Sequence, residues 1–503
     1  VKTLSAHFAE LERKRESGGR GKNGVIIMKT NKTNQASMAL ISLAVLILLT
    51  NAISVTAQSS GGNYKVTSSV VAGGGSQSTG SGNKVIEGTA GQSAAGPTSN
   101  SNISHVAGFW PATLAQSQPQ SGLTTVQFSA GSYVAQEDLT VLAITVTRSG
   151  DSSGAATVDY WTNDGAANQK SDFEYAAGHL KFAPGETAKT FLLLLNEDMY
   201  AEGNEALTLA LGNPVGATLG QQSTANVTLM DDAQEPSTNP IDDPQSFVHT
   251  HYHDFLNREP DASGLAFWTN TLTGCGGNQA CIDDRRITTS AAFFLSIEFQ
   301  GTGYLVERLY KTSYGDALST SSFNGAHQIA VPVFRLHEFL PDAQQMGQGV
   351  VVGQAGWDTA LENNKQAFTS DFVQRARFAS AFPAAMTAAQ FVDKLNANAG
   401  NPLSSTERDQ LVSDLAGNAK TRAQVLRAVA EHPAFVSAEL NRAFVLMQYF
   451  GYLRRNPDDP QDSDYTGYDF WLTKLNQFGG NYVNAEMVKA FITSIEYRQR
   501  FGQ

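Results

Sequence analysis

The chain has 503 residues, too many for one hydrophobic core, so its length predicts two or more domains with connecting segments. Its 41% hydrophobic and 16% charged content is that of globular modules, and its 45 glycines predict many turns or a glycine-rich stretch. A net charge of -12 argues against nucleic acid as a partner, which needs a basic footprint, whereas surplus carboxylates suit divalent cations or solubility alone.

In chain order, residues 1–27 are charged and read as an overextended start ahead of Met28. Lys29 and Lys32 follow, then the apolar run Met38–Leu49, then Val55-Thr-Ala57. A basic start, a short apolar stretch and small residues before the cleavage point predict a signal peptide over 28–57, cut after Ala57, and hence a secreted or cell-surface protein. The apolar stretch covers about 18 Å of helix, short of the roughly 30 Å hydrocarbon layer, so no membrane span is expected in the mature chain. Residues 58–122 are rich in Gly and Ser and predict a flexible linker or a short β segment, with alternating stretches at 63–71, 84–92 and 103–110.

From 123 to 233 the period becomes two. Runs beginning at Val126, Tyr133, Thr140, Ala156, His179, Lys189, Ala206 and Ala225 are short, alternating and punctuated by turns such as Asn163-Asp-Gly165, which predicts a two-sheet sandwich. A linker at 234–244 leads into helical periodicity. Phe247-Val-x3-Tyr252-x3-Leu256-x-Arg258-x-Pro260-Asp261, Gly264-x2-Phe267-Trp268 and Ser296-Ile-Glu298-Phe299 recur as Phe444-Val-x3-Tyr449-x3-Leu453-x-Arg455-x-Pro457-Asp458, Gly467-x2-Phe470-Trp471 and Ser494-Ile-Glu496-Tyr497. So many shared spacings indicate an internal duplication, helical repeat 1 at 245–302 and repeat 2 at 441–503, with a degenerate helical repeat region at 303–440 between them. Tyr252, Leu256, Phe267 and Trp268 fall at core spacing. Arg258 and Arg455 are expected to bond backbone or an acid near their turns, and the repeated Glu298 and Glu496 suggest structure rather than a glycosidase acid pair. His249 and His253 would share a helix face as a metal pair, although a solvated face is the better expectation because no complete zinc motif accompanies them. Cys275 and Cys281, the two cysteines of the chain, predict a small local disulfide in an exported protein.

The sandwich resembles the Calx-beta family along nearly its whole length. The matching segments are Tyr133-Val-Ala-Gln-Glu137, Tyr160-Trp-Thr-Asn-Asp-Gly165, Ser171-Asp172-Phe173, Leu180-Lys-Phe-Ala-Pro-Gly-Glu186, Asn196-Glu197-Asp198-x3-Glu202-Gly-Asn-Glu205, Asn213-Pro214 with Gly216-Ala217, and Leu229-Met-Asp231-Asp232. The resemblance implies an immunoglobulin-like sandwich that binds Ca2+, with Glu137, Asp172, Asp198, Glu202, Asp231 and Asp232 as ligands and Glu197 next. Calcium takes six to eight oxygens, so acids on loops at one end of a sandwich can share an ion. Asn196-Glu197-Asp198 stands where an Asp-Asp pair is usual, and Ala233 where some members carry a third acid, which implies fewer or weaker ions. The helical part resembles a bacterial extracellular domain-of-unknown-function family, distantly like phycobilisome linkers, through its Arg-x-Pro-Asp-x2-Gly turn and Phe-Trp pair; repeat 2 is longer between Asp458 and Gly467.

Together these readings predict a multidomain, calcium-binding, non-enzymatic protein of the cell surface or matrix. It would act in adhesion, cell communication or envelope contact, with an extracellular protein or polysaccharide as partner. Walker A and His-Glu-x2-His patterns do not occur in the sequence. The alternatives are an enzyme or accessory protein acting on extracellular polysaccharide, which exposed Trp268 and Trp471 would favour, and a self-assembling scaffold.

Overall fold

The computed structural model of the chain describes residues 75–80, 84–89, 123–138, 140–231 and 237–502. The predicted signal peptide and the stretches at 63–71 and 103–110 lie outside these. Strands β1 (Gly75–Gly80) and β2 (Lys84–Thr89) form an antiparallel hairpin in a unit of its own. β2 falls in the alternating stretch that starts at Lys84, whereas β1 falls in residues read as glycine turn.

The sandwich consists of β3 (Thr125–Phe128), β4 (Ser132–Gln136), β5 (Thr140–Ser149), β6 (Ala156–Asn163), β7 (Ala177–Phe182), β8 (Ala188–Leu195), β9 (Glu205–Val215), β10 (Thr218–Leu219) and β11 (Thr224–Met230). One sheet has the order β10-β3-β5-β8 and the other β4-β11-β9-β6-β7. Alternation decides which face is inward: Ile144 and Val146 of β5, Leu207, Leu209 and Leu211 of β9, and Ala225, Val227 and Leu229 of β11 all fill the space between the sheets. Phe128, Phe173, Phe182 and Phe191 complete that core. At Gly165 a Cβ would run into the Ala206 carbonyl oxygen, so the Asn-Asp-Gly turn needs glycine for close approach rather than for its φ.

The helical region, from Pro244 onward, is built around a single hydrophobic core that runs from Ile241 to Phe501 and takes in both copies of the duplicated motif. In copy one, helix Pro244–His251 starts on Asp243, whose carboxylate accepts from the Gln245 and Ser246 amides, and passes into a π-helical turn, Tyr252–Leu256. In copy two, helix Pro433–Met447 passes into a π-helical turn over Gln448–Leu453. Each turn ends on a left-handed residue, Asn257 (φ 51°) and Arg454 (φ 49°). The two π turns pack together: Phe255 and Tyr452 meet edge to face with ring centroids 5.1 Å apart, and a Cβ on Gly451 would sit 2.6 Å from Phe255. The repeated Arg and Glu prove to be partners. Arg258 forks onto Glu298 at 2.6 and 2.8 Å, and Arg455 onto Glu496 at 2.5 and 3.1 Å. The extra residues of copy two supply Asp462, which also binds Arg455 at 2.8 Å, and Asp459, which joins Asp458 in clasping Arg335.

Between the copies the chain is helical except for a hairpin, β12 (Asp316–Ser321) with β13 (His327–Pro332), where only helices were expected. The Thr320 carbonyl accepts from the Tyr465 amide and the Ser321 hydroxyl donates to Asp469, so copy two holds the hairpin in place. Cys275 and Cys281 form a disulfide across the turn ahead of helix Gln279–Leu295. No helix among the described residues is long and apolar enough to cross a membrane.

A buried ion network joins sandwich to helices. Glu174, 1% exposed, pairs with Arg454 of the second π turn and with Arg500 (3.3 Å), and Arg500 also reaches Asp254 of the first π turn at 3.0 Å. Two carboxylates against two guanidiniums leave the interior electrically balanced, which desolvation of such groups demands. Glu174→Gln leaves a guanidinium buried without its counter-charge. It is expected to lower the unfolding free energy by about 3–5 kcal/mol, read from the shift of the urea midpoint.

Candidate metal centre

The register of the sandwich brings its acids together. β4 runs parallel to β11 with Gln136 opposite Met230, and the Glu137 amide donates to the Met230 carbonyl at 2.9 Å, so Glu137 and Asp231 leave their strands side by side. β11 pairs with β9 so that Leu229 faces Glu205. A lone bridge between Phe173 and Leu195, with the Asn196 amide donating to the Asp172 carbonyl at 3.0 Å, sets Asp172 next to the loop that carries Asp198 and Glu202. Four separate strand ends therefore converge on one point at one end of the sandwich.

Glu137, Asp172, Asp198 and Glu202 each place a carboxylate oxygen within 4.8 Å of the others. A calcium ion about 2.3–2.6 Å from each ligand spans about 4.6–5.2 Å between opposite oxygens, so these separations suit its shell. Glu137 (8% exposed), Asp172 (1%) and Asp198 (2%) are buried, and Glu202 is exposed on the solvent side. Their remaining bonds hold the geometry. Asp172 accepts from the Asn168 amide at 2.7 Å and from the Ser171 hydroxyl; Asp198 accepts from the Tyr200 amide at 2.7 Å; Asp231 accepts from the Gly203 amide. Glu137 Oε1 and Asp198 Oδ2 are buried with no hydrogen-bond partner among the described residues. Buried carboxylate oxygens without donors are costly, and a cation is what such a donor set lacks.

The electrostatics agree. Burial, then the charges of Asp198, Asp172, Glu202 and Asp231, push the Glu137 carboxyl up to about 8. Burial raises Asp198 to about 7, with Asp172, Glu202 and Asp231 adding to the rise against the Tyr200 amide bond. Glu205, absent from the ligand set expected from sequence, is raised to about 7 by burial, by a hydrogen bond to Asp172 and by the same acids. Its signal was the acidic run Glu202-Gly-Asn-Glu205, in which the fourth position returns to the cluster as β9 begins. Asp231 belongs to the same field. Glu197, half-buried, is not one of the four grouped acids. Asp232 lies outside the described residues.

The His249–His253 pair is not a solvated face: His249 is 8% exposed and His253 0%, against the sandwich and the turn at Glu259.

Comparison with known proteins came to the same region. Residues 121–233 match the family model of the Calx-beta domain, and residues 232–302 that of a domain of unknown function, DUF4214. The chain thus carries a Calx-beta sandwich followed by a mainly helical region. Sodium/calcium exchanger 1 of Canis lupus familiaris is 32% identical over 138 residues, which cover 24% of this chain and 14% of that protein. Extracellular matrix protein 3 of Lytechinus variegatus is 34% identical over 125 residues, 23% of this chain and 4% of that protein. The chain therefore spans only a small part of the length of the curated relatives it matches. Among solved structures, the apo form of the Calx CBD1 domain is 32% identical, with 22% of this chain and 99% of that one covered and a TM-score of 0.22. The structure titled as calcium binding domain CBD12 of CALX1.1 is 33% identical, with 21% and 45% covered and a TM-score of 0.21.

A carboxyl whose folded pKa is raised stabilises the fold below its ordinary pKa, and that contribution is lost as pH rises through the folded value. For Glu137 the window runs from the ordinary 4.5 to about 8, and Asp198 and Glu205 titrate inside it. The metal-free protein is expected to melt several degrees lower at pH 8 than at pH 5. Asp198→Asn should raise the pH 8 melting temperature of the metal-free form and flatten the dependence, as differential scanning calorimetry in chelator would measure.

Proposed function

We propose that this chain is an exported, non-catalytic calcium-binding protein of the cell surface or matrix, in which calcium fixes the joint between the sandwich and a helical region that contacts an extracellular protein or polysaccharide. The observation that carries the reading is the four-carboxylate cluster with its two undonated oxygens, one of them on Asp198 in a loop that is itself part of the joint. Directly after Asp198, the Met199 amide donates to the Phe501 carbonyl at 3.1 Å and the Tyr200 hydroxyl to the Gln499 carbonyl at 3.2 Å. Calcium bound there supplies positive charge that relieves the repulsion among the acids and orders the 198–203 loop. The Calx-beta match supports the choice of ion. Export is supported by the basic-apolar-small pattern of residues 28–57, and a matrix role by the likeness to an extracellular matrix protein.

Non-catalysis is supported by what the conspicuous side chains do. Glu298 and Glu496 are held by Arg258 and Arg455, and Trp268 packs at 7% exposure against Phe267 and Phe293. Trp471 is half-buried on Phe491. A second reading, contact with an extracellular polymer, is favoured by a groove of about 1020 Å³ between β6–β7 and the helices around Asp342 and Arg375, lined by Trp161, Tyr175, His179 and Asp371. Such a groove would serve binding in either reading.

Millimolar calcium is expected to raise the melting temperature of the full chain and to slow hydrogen exchange both in the 198–203 loop and in the C-terminal 498–502 segment. Asp198→Asn should remove both effects. An unchanged melting temperature in calcium and in chelator would sink the proposal, and protection confined to the loop would remove the joint from it.

A further inference from the structure

We propose that His249, His253 and Glu259 form a second, separate metal site, selective for a zinc-type divalent cation, that pins the first π turn of the helical region against the sandwich. The three side chains bring their ligand atoms within 4.8 Å of one another. His249 Nε2 lies 3.0 Å from Glu259 Oε2 and His253 Nε2 lies 2.9 Å from Glu259 Oε1, so both imidazoles aim the same nitrogen at one carboxylate. A cation held tetrahedrally at about 2.0–2.1 Å needs ligand atoms about 3.3 Å apart, a few tenths of an ångström more than these. The i, i+4 spacing of the histidines puts both rings on one side of the helix, and Glu259 comes from the turn that follows.

Hydrogen bonding around His253 argues that the carboxylate is not its natural partner alone. Asn196 donates its amide hydrogen to Glu174 Oε1 at 3.3 Å, which leaves Asn196 Oδ1 as the atom 3.4 Å from His253 Nδ1. The Nδ1 proton therefore goes to Asn196, and the Nε2 of a neutral ring turns a lone pair toward Glu259. Two acceptors at hydrogen-bonding distance repel unless a proton or a cation lies between them, and a fully buried ring resists becoming an imidazolium. A carboxamide that fixes the far nitrogen is also what orients a metal-bound histidine. His249 Nδ1 is buried with no partner among the described residues, so that ring is held by its Nε2 side. Glu259 is one-third exposed, which gives the ion a path to solvent and room for a water as fourth ligand.

The duplication supplies a control within the molecule. At the corresponding positions copy two has Leu446 and Phe450, both 1% exposed, and Asn456. The same helix and π turn thus fold with apolar side chains there, so the buried histidines and their glutamate are not required by the fold. Imidazole with one carboxylate suits zinc and its neighbours better than calcium, which prefers oxygen alone. The site is thereby chemically distinct from the acid cluster.

The test titrates the full chain with zinc at saturating calcium, and with cobalt as a spectroscopic substitute. The expected result is one zinc retained per chain, and a visible absorption of four-coordinate cobalt. The double variant His249→Leu, His253→Phe, which installs the copy-two residues, and Glu259→Asn at the one-third-exposed carboxylate should each weaken zinc binding at least about tenfold. Asp198→Asn should leave it unchanged. Failure of the wild type to retain zinc overturns the site, as does retention unaltered in Glu259→Asn or zinc lost only in Asp198→Asn. Because calcium is saturating and read separately by its own melting shift, failure of the calcium reading would not mimic any of these results.

Discussion

A three-residue segment, Asp172-Phe173-Glu174, carries the mechanical logic of this molecule. Phe173 is fully buried in the sandwich core and bridges to Leu195, which fixes the segment as a short strand beside the end of β8. Successive side chains of an extended segment point to opposite sides. Asp172 and Glu174 therefore both point away from Phe173, Asp172 into the acid cluster and Glu174 onto Arg454 and Arg500 of the helical region. Neither carboxylate can move far without dislodging Phe173. The charge state of the cluster and the docking of the helices are thus tied through one hydrophobic anchor, with Asn196, the residue after Leu195, touching both Glu174 and His253.

The duplicated motif explains how two distant parts of the chain can meet at that anchor. Each copy builds the same helix, the same π turn and the same buttress of an arginine on a glutamate forty or so residues later. Packing the turns against each other makes a symmetric frame, and the joint arises where the copies differ. Asp254 stands where copy two has Gly451, and Arg454 where copy one has Asn257. One copy thus contributes an acid and the other a base to the same buried network. Gly451 is also the position at which a side chain would collide with Phe255, so the asymmetry is imposed by packing as well as by charge.

Much of this was legible in the sequence where the physics is local. Apart from the two-residue β10, which no run anticipated, strand boundaries from β3 to β11 follow alternation to within a residue or two at most ends, because one buried face per strand imposes period two. The acids at 137, 172, 198 and 202 were readable only as a pattern borrowed from a family, since their convergence depends on a parallel pairing of β4 with β11 and on a single bridge at Phe173, which no spacing reveals. Glu205 was passed over because its partner, Asp172, is set by that same register. The hairpin β12–β13 escaped because Asp316-Ala-Leu-Ser-Thr-Ser has little apolar alternation of its own and depends on Tyr465 and Asp469 to hold it. The histidines looked solvated because burial of a helix face by a different domain is invisible to helical periodicity.

The energetic character of the joint follows from these parts. Inside the sandwich, carboxylates are brought together beyond what their own hydrogen bonds satisfy; a few residues away, at Glu174 and Asp254, carboxylates are matched one for one by guanidiniums. The second arrangement is complete without any ion and favours a fixed docking. The first is incomplete, and it sits on the loop whose Met199 and Tyr200 bind the C-terminal segment. A permanently neutralised network therefore sets where the helices rest, while on the proposed calcium reading the cluster would gain its counter-charge from solution and set how firmly the adjoining loop holds them. That division gives a cation leverage over the joint without making the fold depend on it.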